Sequence, residues 1–409
     1  MLNSAKKKYS RSLFYRVSAW LHLWLGLVSG IVVVIVSLTA AALVFEEELR
    51  LWLQPYQTVS PSAEGNLLPP SVLSEAVKSK YQFPSVYGVF YRGKEKSAIV
   101  PYYADRSDYQ VVYVNPYSGQ VLKNQHLNSD FFRFMIIGHY QLWLPRYIGK
   151  PVVAYGTLIF VITLISGLIL WWPKKWTSAT RKRSFLLNLK ASFKRLNYDL
   201  HNVLGFYVLL VALVLGLTGM VYGMQWFAES VYWLGSGGES LKRERYHSDT
   251  TLVIQHPQAD EDILFSQLQS EVDFSTYDVK MYYPRGKRGV WGVEVNPKPG
   301  TTYLAHTNYY EQHSLKKLAE KAAFPHGNGG DMLMKLNYDL HVGSIGGIWT
   351  KIIAFIACLI SASLPITGFI IWWGKKKKKP KQYKDKKPKF SGMQKGVSRR
   401  ISIPVKEKV

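Results

Sequence analysis

Four long apolar runs decide what this chain can fold into: residues 17–45, 151–172, 203–227 and 352–373. A hydrocarbon core of ~30 Å takes ~20 apolar residues in a helix that rises ~1.5 Å per residue. Each run is long enough, and the first contains no Asp, Glu, Lys or Arg. The sequence therefore predicts four transmembrane helices.

The positive charge of the chain is concentrated in short segments beside these runs. The chain carries 52 Lys and Arg residues against 27 Asp and Glu. Residues 1–16 contain five basic residues and no acidic residue, and residues 173–195 contain eight basic residues and no acidic residue. Residues 374–409 contain fifteen basic and two acidic residues. Such clusters follow the positive-inside rule, so we expect both termini in the cytosol. A nucleic-acid surface would instead gather its cations on one face.

Two further features narrow the class of protein. The first apolar run is roughly twice the ~7–15 residues of a signal-peptide core, so we expect a retained span rather than a cleaved leader. Cys358 is the only cysteine. It excludes an intrachain disulfide, covalent Cys-x-x-Cys-His haem attachment and an iron–sulfur cluster held by this chain alone.

The two segments expected outside the cell membrane have strand-like patterns. In the first segment, residues 71–80 have helical periodicity, and residues 86–91, 97–103, 109–114 and 120–122 are typical of strands. In the second segment, residues 277–283, 290–295 and 301–305 are typical of strands. Each segment follows a span and precedes another, which indicates an internal duplication.

The fold class predicted is therefore an α+β membrane protein: a four-helix transmembrane bundle with two periplasmic α+β domains. The expected divisions are a cytosolic N-terminus (1–16), helix 1 (17–45), domain 1 (46–130), an extension with helix 2 (131–172), a cytosolic loop (173–197), helix 3 (198–228), domain 2 (229–331), an extension with helix 4 (332–373) and a basic cytosolic tail (374–409). We expect this tail to contact anionic lipid headgroups.

Four histidines accompany the spans in two matched pairs. His22 and His201 both occur as Leu-His-x-x-Leu-Gly at the cytosolic start of a span, whereas His139 and His341 precede the other two spans on the outer side. Ionisable residues in membrane segments are costly and are therefore candidates for function. Two histidines at one depth can supply both axial ligands of a haem iron. We expect His139 and His341 to meet at or just above the outer surface.

Small residues near the cytosolic histidines favour a flat ligand. Gly26 and Gly30 lie four and eight residues after His22, and Gly205 lies four after His201, on the same helical faces. We expect these glycines to leave room for a macrocycle. Basic residues flank both pairs and are candidates for haem propionates, although ordinary interfacial charge explains them as well: Arg16, Lys194, Arg195, Arg146 and Lys351.

Other interpretations of these residues stay open. The histidines can be packing residues, and zinc or copper can use imidazoles, although two histidines per layer leave such a site short of ligands. Met220 and Met224 are expected to pack, and the triplet from Glu46 to Glu48 to be a solvated boundary. His326 is a candidate to approach an iron or substrate, whereas five histidines are expected at the surface: His126, His247, His256, His306 and His313.

With these motifs, the chain resembles the PepSY-associated transmembrane helix family. The matching segments are Leu21-His22-Leu23-Trp24-Leu25-Gly26, the turn from Val114 to Val121, the ending from Ser166-Gly167 to Trp172-Pro173, His201 with Gly205, and Leu340-His341-Val342-Gly343. The family includes iron-regulated inner-membrane proteins and FoxB-like ferrisiderophore reductases. The resemblance implies outer PepSY-like domains and two non-covalent b-type haems with His22, His201, His139 and His341 as the axial ligands.

These observations favour transmembrane electron transfer. A cytosolic flavin, reductase or quinol would donate the electron, and a ferric siderophore outside would accept it. The alternative is a non-catalytic regulator whose PepSY-like domains bind a periplasmic partner while the histidines are structural. A siderophore transporter is disfavoured, because the four spans have no charged central pathway.

Overall fold

The computed structural model describes residues 11–62, 65–103, 108–242, 244–252 and 254–376. The predictions for residues 1–10 and for the tail beyond residue 376 lie outside this description. Within it, four helices are long and apolar enough to cross a membrane: Leu13–Leu43, Arg146–Trp171, Phe193–Gly223 and Ile348–Lys375. The protein is therefore an α+β membrane protein with four spans, as the sequence predicts.

The element order repeats once along the chain. The first half contains α1 (Leu13–Leu43), α2 (Glu46–Leu53), α3 (Pro70–Tyr81), strands β1 (Gly88–Arg92), β2 (Ala98–Tyr103), β3 (Tyr109–Val114) and β4 (Val121–His126), α4 (Phe131–Gln141) and α5 (Arg146–Trp171). Two short helices, α6 (Ser178–Phe185) and α7 (Phe193–Asp199), connect it to the second half.

The second half repeats this pattern after a single π-helical turn, Leu200–Leu204, that joins α7 to the next span. It contains α8 (Gly205–Gly223), α9 (Gln225–Ser236), α10 (Asp260–Glu271), strands β5 (Asp278–Tyr282), β6 (Trp291–Asn296), β7 (His306–Tyr310) and β8 (Lys317–Lys321), α11 (Gly329–Val342) and α12 (Ile348–Lys376). Each half is thus a span, two short helices, four strands, one short helix and a second span, which supports the predicted duplication.

The strands of both halves form one antiparallel sheet in the order β4-β3-β2-β1-β5-β6-β7-β8. The two halves join where β1 pairs with β5, for example Phe90 opposite Lys280. One face is covered by α3 and α10, whose apolar side chains, among them Leu73 and Phe265, pack on alternate strand residues such as Val279. The two segments that the sequence separates therefore share one sheet and one core.

Two local predictions differ from the structure. Residues 301–305, expected to be a strand, form a loop after the Pro299-Gly300 turn, and the strand starts at His306. Here Thr302 bonds to Asp339 of α11 instead of to a neighbouring strand. Strand β8 was not predicted from the sequence. Almost all of its residues are solvent-exposed, so they do not show the alternation of apolar and polar residues that indicates a strand.

The four spans form a ring in which α1 and α8 lie diagonally opposite each other. Each of these two helices packs against both α5 and α12. Both sheet segments lie at one end of this ring, which we name the sheet end. We name the opposite end, which carries Arg11, Arg16, Lys174 and Lys175, the basic end.

Acidic residues at the start of α2 connect the sheet to the bundle. Glu46 pairs with Arg50 at 2.8 Å, Glu47 with Lys96 of the β1–β2 turn at 3.2 Å, and Glu48 with the buried Lys351 of α12 at 2.6 Å. The prediction of a merely solvated boundary is therefore wrong. It failed because the partners lie up to 303 residues away along the chain.

Arg50 also holds the start of α4. Its guanidinium forms two hydrogen bonds to the buried Asp130 carboxylate, of 3.0 and 2.5 Å, and Asp130 caps α4 by accepting from the Arg133 backbone N–H. Burial opposes the Arg50 charge, but hydrogen bonds to Asp130 and Glu46 outweigh it and raise the pKa of Arg50. A bidentate pair of this kind fixes geometry as well as charge.

We predict that Asp130→Ala lowers the free energy of unfolding by about 2–3 kcal/mol, because it removes charge-assisted bonds and leaves Arg50 with Glu46 alone. Denaturant titration of the purified protein measures this. The control is Glu75→Ala, which breaks the exposed Glu75–Lys78 pair of α3 and should cost less than about 0.5 kcal/mol. Equal losses in the two variants would contradict the prediction.

Candidate functional site

His22 and His201 meet inside the bundle toward its basic end; we name them the basic-end pair. His22 belongs to α1 and His201 to the π-helical turn before α8. Their ring centroids are 6.1 Å apart and their planes are inclined by 79°. Single π-helical turns within α-helices are frequent at functional sites. The two histidines that the sequence assigns to one depth are thus brought together.

His139 and His341 meet toward the sheet end; we name them the sheet-end pair. Their centroids are 6.0 Å apart with planes inclined by 52°. They lie near the ends of α4 and α11, which stop at left-handed residues, Leu142 (φ 55°) and Gly343 (φ 77°). The sequence correctly pairs these residues as well.

The sheet-end pair lies alongside α1 and α8 and not beyond their ends, whereas we had expected it at or just above the outer surface of the membrane. His139 Nδ1 is 3.0 Å from the carbonyl oxygen of Val36, which is seven residues before the end of α1, or ~10 Å inside it. His341 Nδ1 is 3.2 Å from the carbonyl oxygen of Leu215 in α8. The reason is that α4 and α11 run back along α1 and α8 before each chain turns into the next span.

Each Nδ1 faces the same arrangement of acceptors on a neighbouring helix. At the basic end, His22 Nδ1 is 3.0 Å from the Thr163 carbonyl oxygen and 3.3 Å from Ser166 Oγ. His201 Nδ1 is 3.1 Å from the Leu364 carbonyl oxygen and 3.0 Å from Thr367 Oγ1. In both cases the hydroxyl residue follows the carbonyl residue by three positions.

The sheet-end pair repeats this arrangement. His139 Nδ1 lies 3.4 Å from Thr39 Oγ1, three residues after Val36, and His341 Nδ1 lies 3.0 Å from Thr218 Oγ1, three residues after Leu215. We name the four arrangements of carbonyl and hydroxyl the histidine cradles. Ser166 and Thr367 belong to helix endings that stand out in the sequence, whereas Thr39 and Thr218 were not predicted.

A small residue follows the hydroxyl in every cradle and lets the imidazole approach the helix. These residues are Gly167, Gly368, Gly219 and Ala40. A Cβ atom at Gly167 would lie 3.0 Å from His22 Cε1, and one at Gly368 would lie 3.2 Å from His201 Cε1. The recurring Ser/Thr-Gly/Ala dipeptide is the sequence signal for the cradle.

The cradles determine the protonation of the rings. A carbonyl oxygen only accepts, so each Nδ1 must carry the proton, and Nε2 is left with its lone pair. A metal-bound histidine generally donates its other ring N–H to a carbonyl or carboxylate in this way. All four histidines therefore have the tautomer that leaves Nε2 able to bind a metal.

An exact six-residue repeat supports the cradles of the second half. Leu-Asn-Tyr-Asp-Leu-His occurs at residues 196–201 and again at 336–341. Asn197 Nδ2 donates to the Thr367 carbonyl oxygen at 3.1 Å, and Asn337 Nδ2 donates to the Thr218 carbonyl oxygen at 3.3 Å. Both asparagines thus bond to the hydroxyl residue of the cradle that holds the histidine four positions later. The repeat is visible in the sequence alone, although it was not among the predicted signals.

The spacing of the rings fits one metal ion between each pair. Metal–imidazole bonds are about 2 Å long, so two collinear bonds plus the ring radii place the centroids about 6 Å apart. Groups of three or more His, Cys, Asp or Glu suited to a metal are absent from the described residues. Each pair therefore offers a metal ion two imidazoles, which is fewer protein ligands than a tetrahedral zinc site takes.

The glycines expected to leave room for a macrocycle face neighbouring spans. A Cβ at Gly30 would lie 3.2 Å from Pro365 of α12, whereas one at Gly26 would lie 3.5 Å from Thr163 of α5 and one at Gly205 would lie 3.5 Å from Leu364, which are ordinary contact distances. Gly30 therefore lets α1 and α12 pack closely. That these glycines make room for a macrocycle stays a prediction.

Two of the candidate cations for propionates are bound to carboxylates: Arg195 pairs with Asp199 at 2.7 Å, and Lys351 pairs with Glu48. Arg16, Lys194 and Arg146 are exposed. This agrees with ordinary interfacial charge for the exposed residues and with a structural role for the paired ones.

The remaining candidates are two methionines and one further histidine. Met220 and Met224 are buried against Ala154 and Val161, which confirms that they pack. His326 is exposed in the loop before α11.

A family model described as "PepSY-associated TM region" matches residues 19–375. The match covers most of the chain and contains all four paired histidines. The chain therefore belongs to this family. No curated protein matches it.

We predict that Gly368→Leu displaces His201 and lowers the free energy of unfolding by about 1–3 kcal/mol, because the added side chain meets the imidazole. Gly374→Leu is the control on the same helix, since a Cβ there has open space around it. Denaturant titration of both variants measures the effect, and equal stabilities would show that the cradle does not hold the ring closely.

Proposed function

We propose that this member of the PepSY-associated TM region family is a di-haem b electron-transfer protein of the bacterial inner membrane. In this proposal both termini are cytosolic, the sheet is periplasmic, and the protein reduces ferric siderophores. The proposal rests on the basic-end pair and the sheet-end pair of histidines. In each pair the ring centroids are about 6 Å apart, and the two pairs lie toward opposite ends of the bundle. Along α1, His22 and the Val36 carbonyl that binds His139 are ~21 Å apart.

The residues present suit two b-type haems held without covalent attachment. When bound, each haem would supply a one-electron carrier. His22 and His201 would be the axial ligands of one haem, and His139 and His341 those of the other. The cradle carbonyls hold each Nδ1 proton, which raises the basicity of Nε2 and fixes the ring plane.

Reduction explains how iron would be released. Ferric ion is bound tightly by hard oxygen chelators, and Fe(II) is bound more weakly by the same ligands. We propose a quinol or a cytosolic reductase as the donor at the basic end and a ferric siderophore as the acceptor at the sheet end. Membrane lipid surrounds the spans in either case.

A non-catalytic regulator is the second candidate, and one feature of the sheet favours it. Strand β8 is a largely exposed edge of the sheet. An exposed edge can pair with an extended peptide through main-chain hydrogen bonds. In this alternative the histidines serve only to pack the helices.

We predict that the purified protein has dithionite-reducible b-type absorbance with two haems per chain. His22→Ala and His341→Ala should each reduce the haem content to about one per chain, because each removes one axial ligand of a different pair, and should abolish ferric siderophore reduction. His326→Ala is the control and should keep both haems. The measurements are a pyridine haemochrome assay and the rate of Fe(II) release from a ferric siderophore.

Absence of b-type absorbance in the purified protein would exclude the electron-transfer proposal. If His22→Ala and His341→Ala leave iron acquisition by cells unchanged, the regulator is the better explanation.

A further inference from the structure

Three tyrosines and two arginines form a continuous row on the sheet face that is turned toward the bundle. Arg285 of the β5–β6 turn lies 4.0 Å above the ring of Tyr87. Tyr87 contacts Tyr103 with centroids 4.0 Å apart, and Tyr103 stacks on Tyr109 at 3.6 Å and 19°. At the other end, Arg133 of α4 lies 5.5 Å from the Tyr109 ring. We name these five residues the aromatic row.

The face on which the row lies is fixed by the strand register. Tyr103 is opposite Tyr109, and two residues along β2 Pro101 is opposite Val111, so these side chains are on one face. The core face carries Val100, Val112 and their neighbours under α3 and α10. The row is therefore on the opposite face, the one on which Gln125 of β4 binds the Asp130 cap of α4.

The guanidinium groups of the row have N–H donors that form no hydrogen bond or ion pair with the described residues. Arg133 Nε is buried and has no hydrogen-bond partner among the described residues. Neither Arg133 nor Arg285 forms an ion pair within the part of the chain that the structure describes. A buried donor without an acceptor is costly, and such a group in a native structure points to a missing partner. An anion that reaches Arg133 would satisfy it.

The row is close to the sheet-end pair. Arg133 and His139 lie six residues apart on the same helix, or ~9 Å along its axis. The same helix α4 thus carries an imidazole facing the bundle and, facing the sheet, a guanidinium that forms no ion pair with any described residue. A ligand on the row would lie next to the outer end of the proposed electron path.

We propose, on the basis of the function proposed above, that the aromatic row binds the ferric complex of an anionic, aromatic chelator of the catecholate type. Flat aromatic rings of the chelator stack beside the tyrosines. The net negative charge of the complex pairs with Arg133 and Arg285, whose planar guanidinium groups suit oxyanions. A hydroxamate complex has neither aromatic rings nor this charge, so the row discriminates against it.

The test measures binding without reduction. The probe is the gallium(III) complex of 2,3-dihydroxybenzoate, since gallium does not undergo this reduction, and the comparison probe is a gallium(III) trihydroxamate. Kd is measured with the full-length protein in detergent or nanodiscs. We expect Arg133→Gln and Arg285→Gln each to weaken binding of the catecholate by about tenfold or more and to leave the trihydroxamate unaffected.

Arg288→Gln is the matched control, because Arg288 is an exposed arginine of the same hairpin and contacts no ring of the row. Tyr109→Leu tests the stacking surface and should also weaken catecholate binding. Equal catecholate affinity in all variants, or equal affinity for the two probes in the unmodified protein, would overturn the inference. Haem content and siderophore reduction are measured separately, so gallium binding succeeds or fails independently of the electron-transfer proposal.

Discussion

The structure depends on a hydrogen bond made four times: an imidazole Nδ1–H on one helix donates to a main-chain carbonyl on another. An imidazole within an apolar bundle needs a partner for its N–H, and burying it without one is costly. The bonds connect α1 with α5, the π-helical turn before α8 with α12, α4 with α1 and α11 with α8. Each bond thereby fixes both the rotation and the distance of the two helices that it joins. The hydroxyl residue and the small residue of the cradle determine how closely the imidazole ring approaches the neighbouring helix.

The duplication explains why the histidines form pairs. Each pair takes one histidine from each half: His22 with His201, and His139 with His341. The same two halves join their strands at β1 and β5, so the sheet and the bundle share one approximate two-fold relation. Neither half alone can complete a pair or the eight-stranded sheet. The two histidine pairs and the central strand pairing are therefore properties of the association of the halves, comparable to an isologous interface within one chain.

The spans and the pairing of the histidines could be predicted from the sequence, because they depend on the length of apolar runs and on alternating topology. The cradles could not, because His22 and its acceptor Thr163 are 141 residues apart and a Ser/Thr-Gly/Ala dipeptide is common in any membrane helix. The sheet was divided into two domains for a similar reason, since only the non-local pairing of β1 with β5 joins them. The contacts of Gly26, Gly30 and Gly205 could not be predicted either, because positions on a helical face do not reveal what that face meets.

The repeated hexapeptide shows how the cradle dominates local structure. At residues 336–341 it lies at the end of a helix, and Gly343 turns the chain away two residues after His341. At residues 196–201 the helix must continue into a span, and here one π-helical turn, Leu200–Leu204, accommodates an extra residue. In both settings the asparagine donates to the main-chain carbonyl of the hydroxyl residue of the cradle, and the histidine contacts the cradle acceptors. A π-helical turn gives poorer backbone hydrogen bonding than a regular helix. The position of His201 is therefore set by its cradle, and the backbone of the span adapts to it.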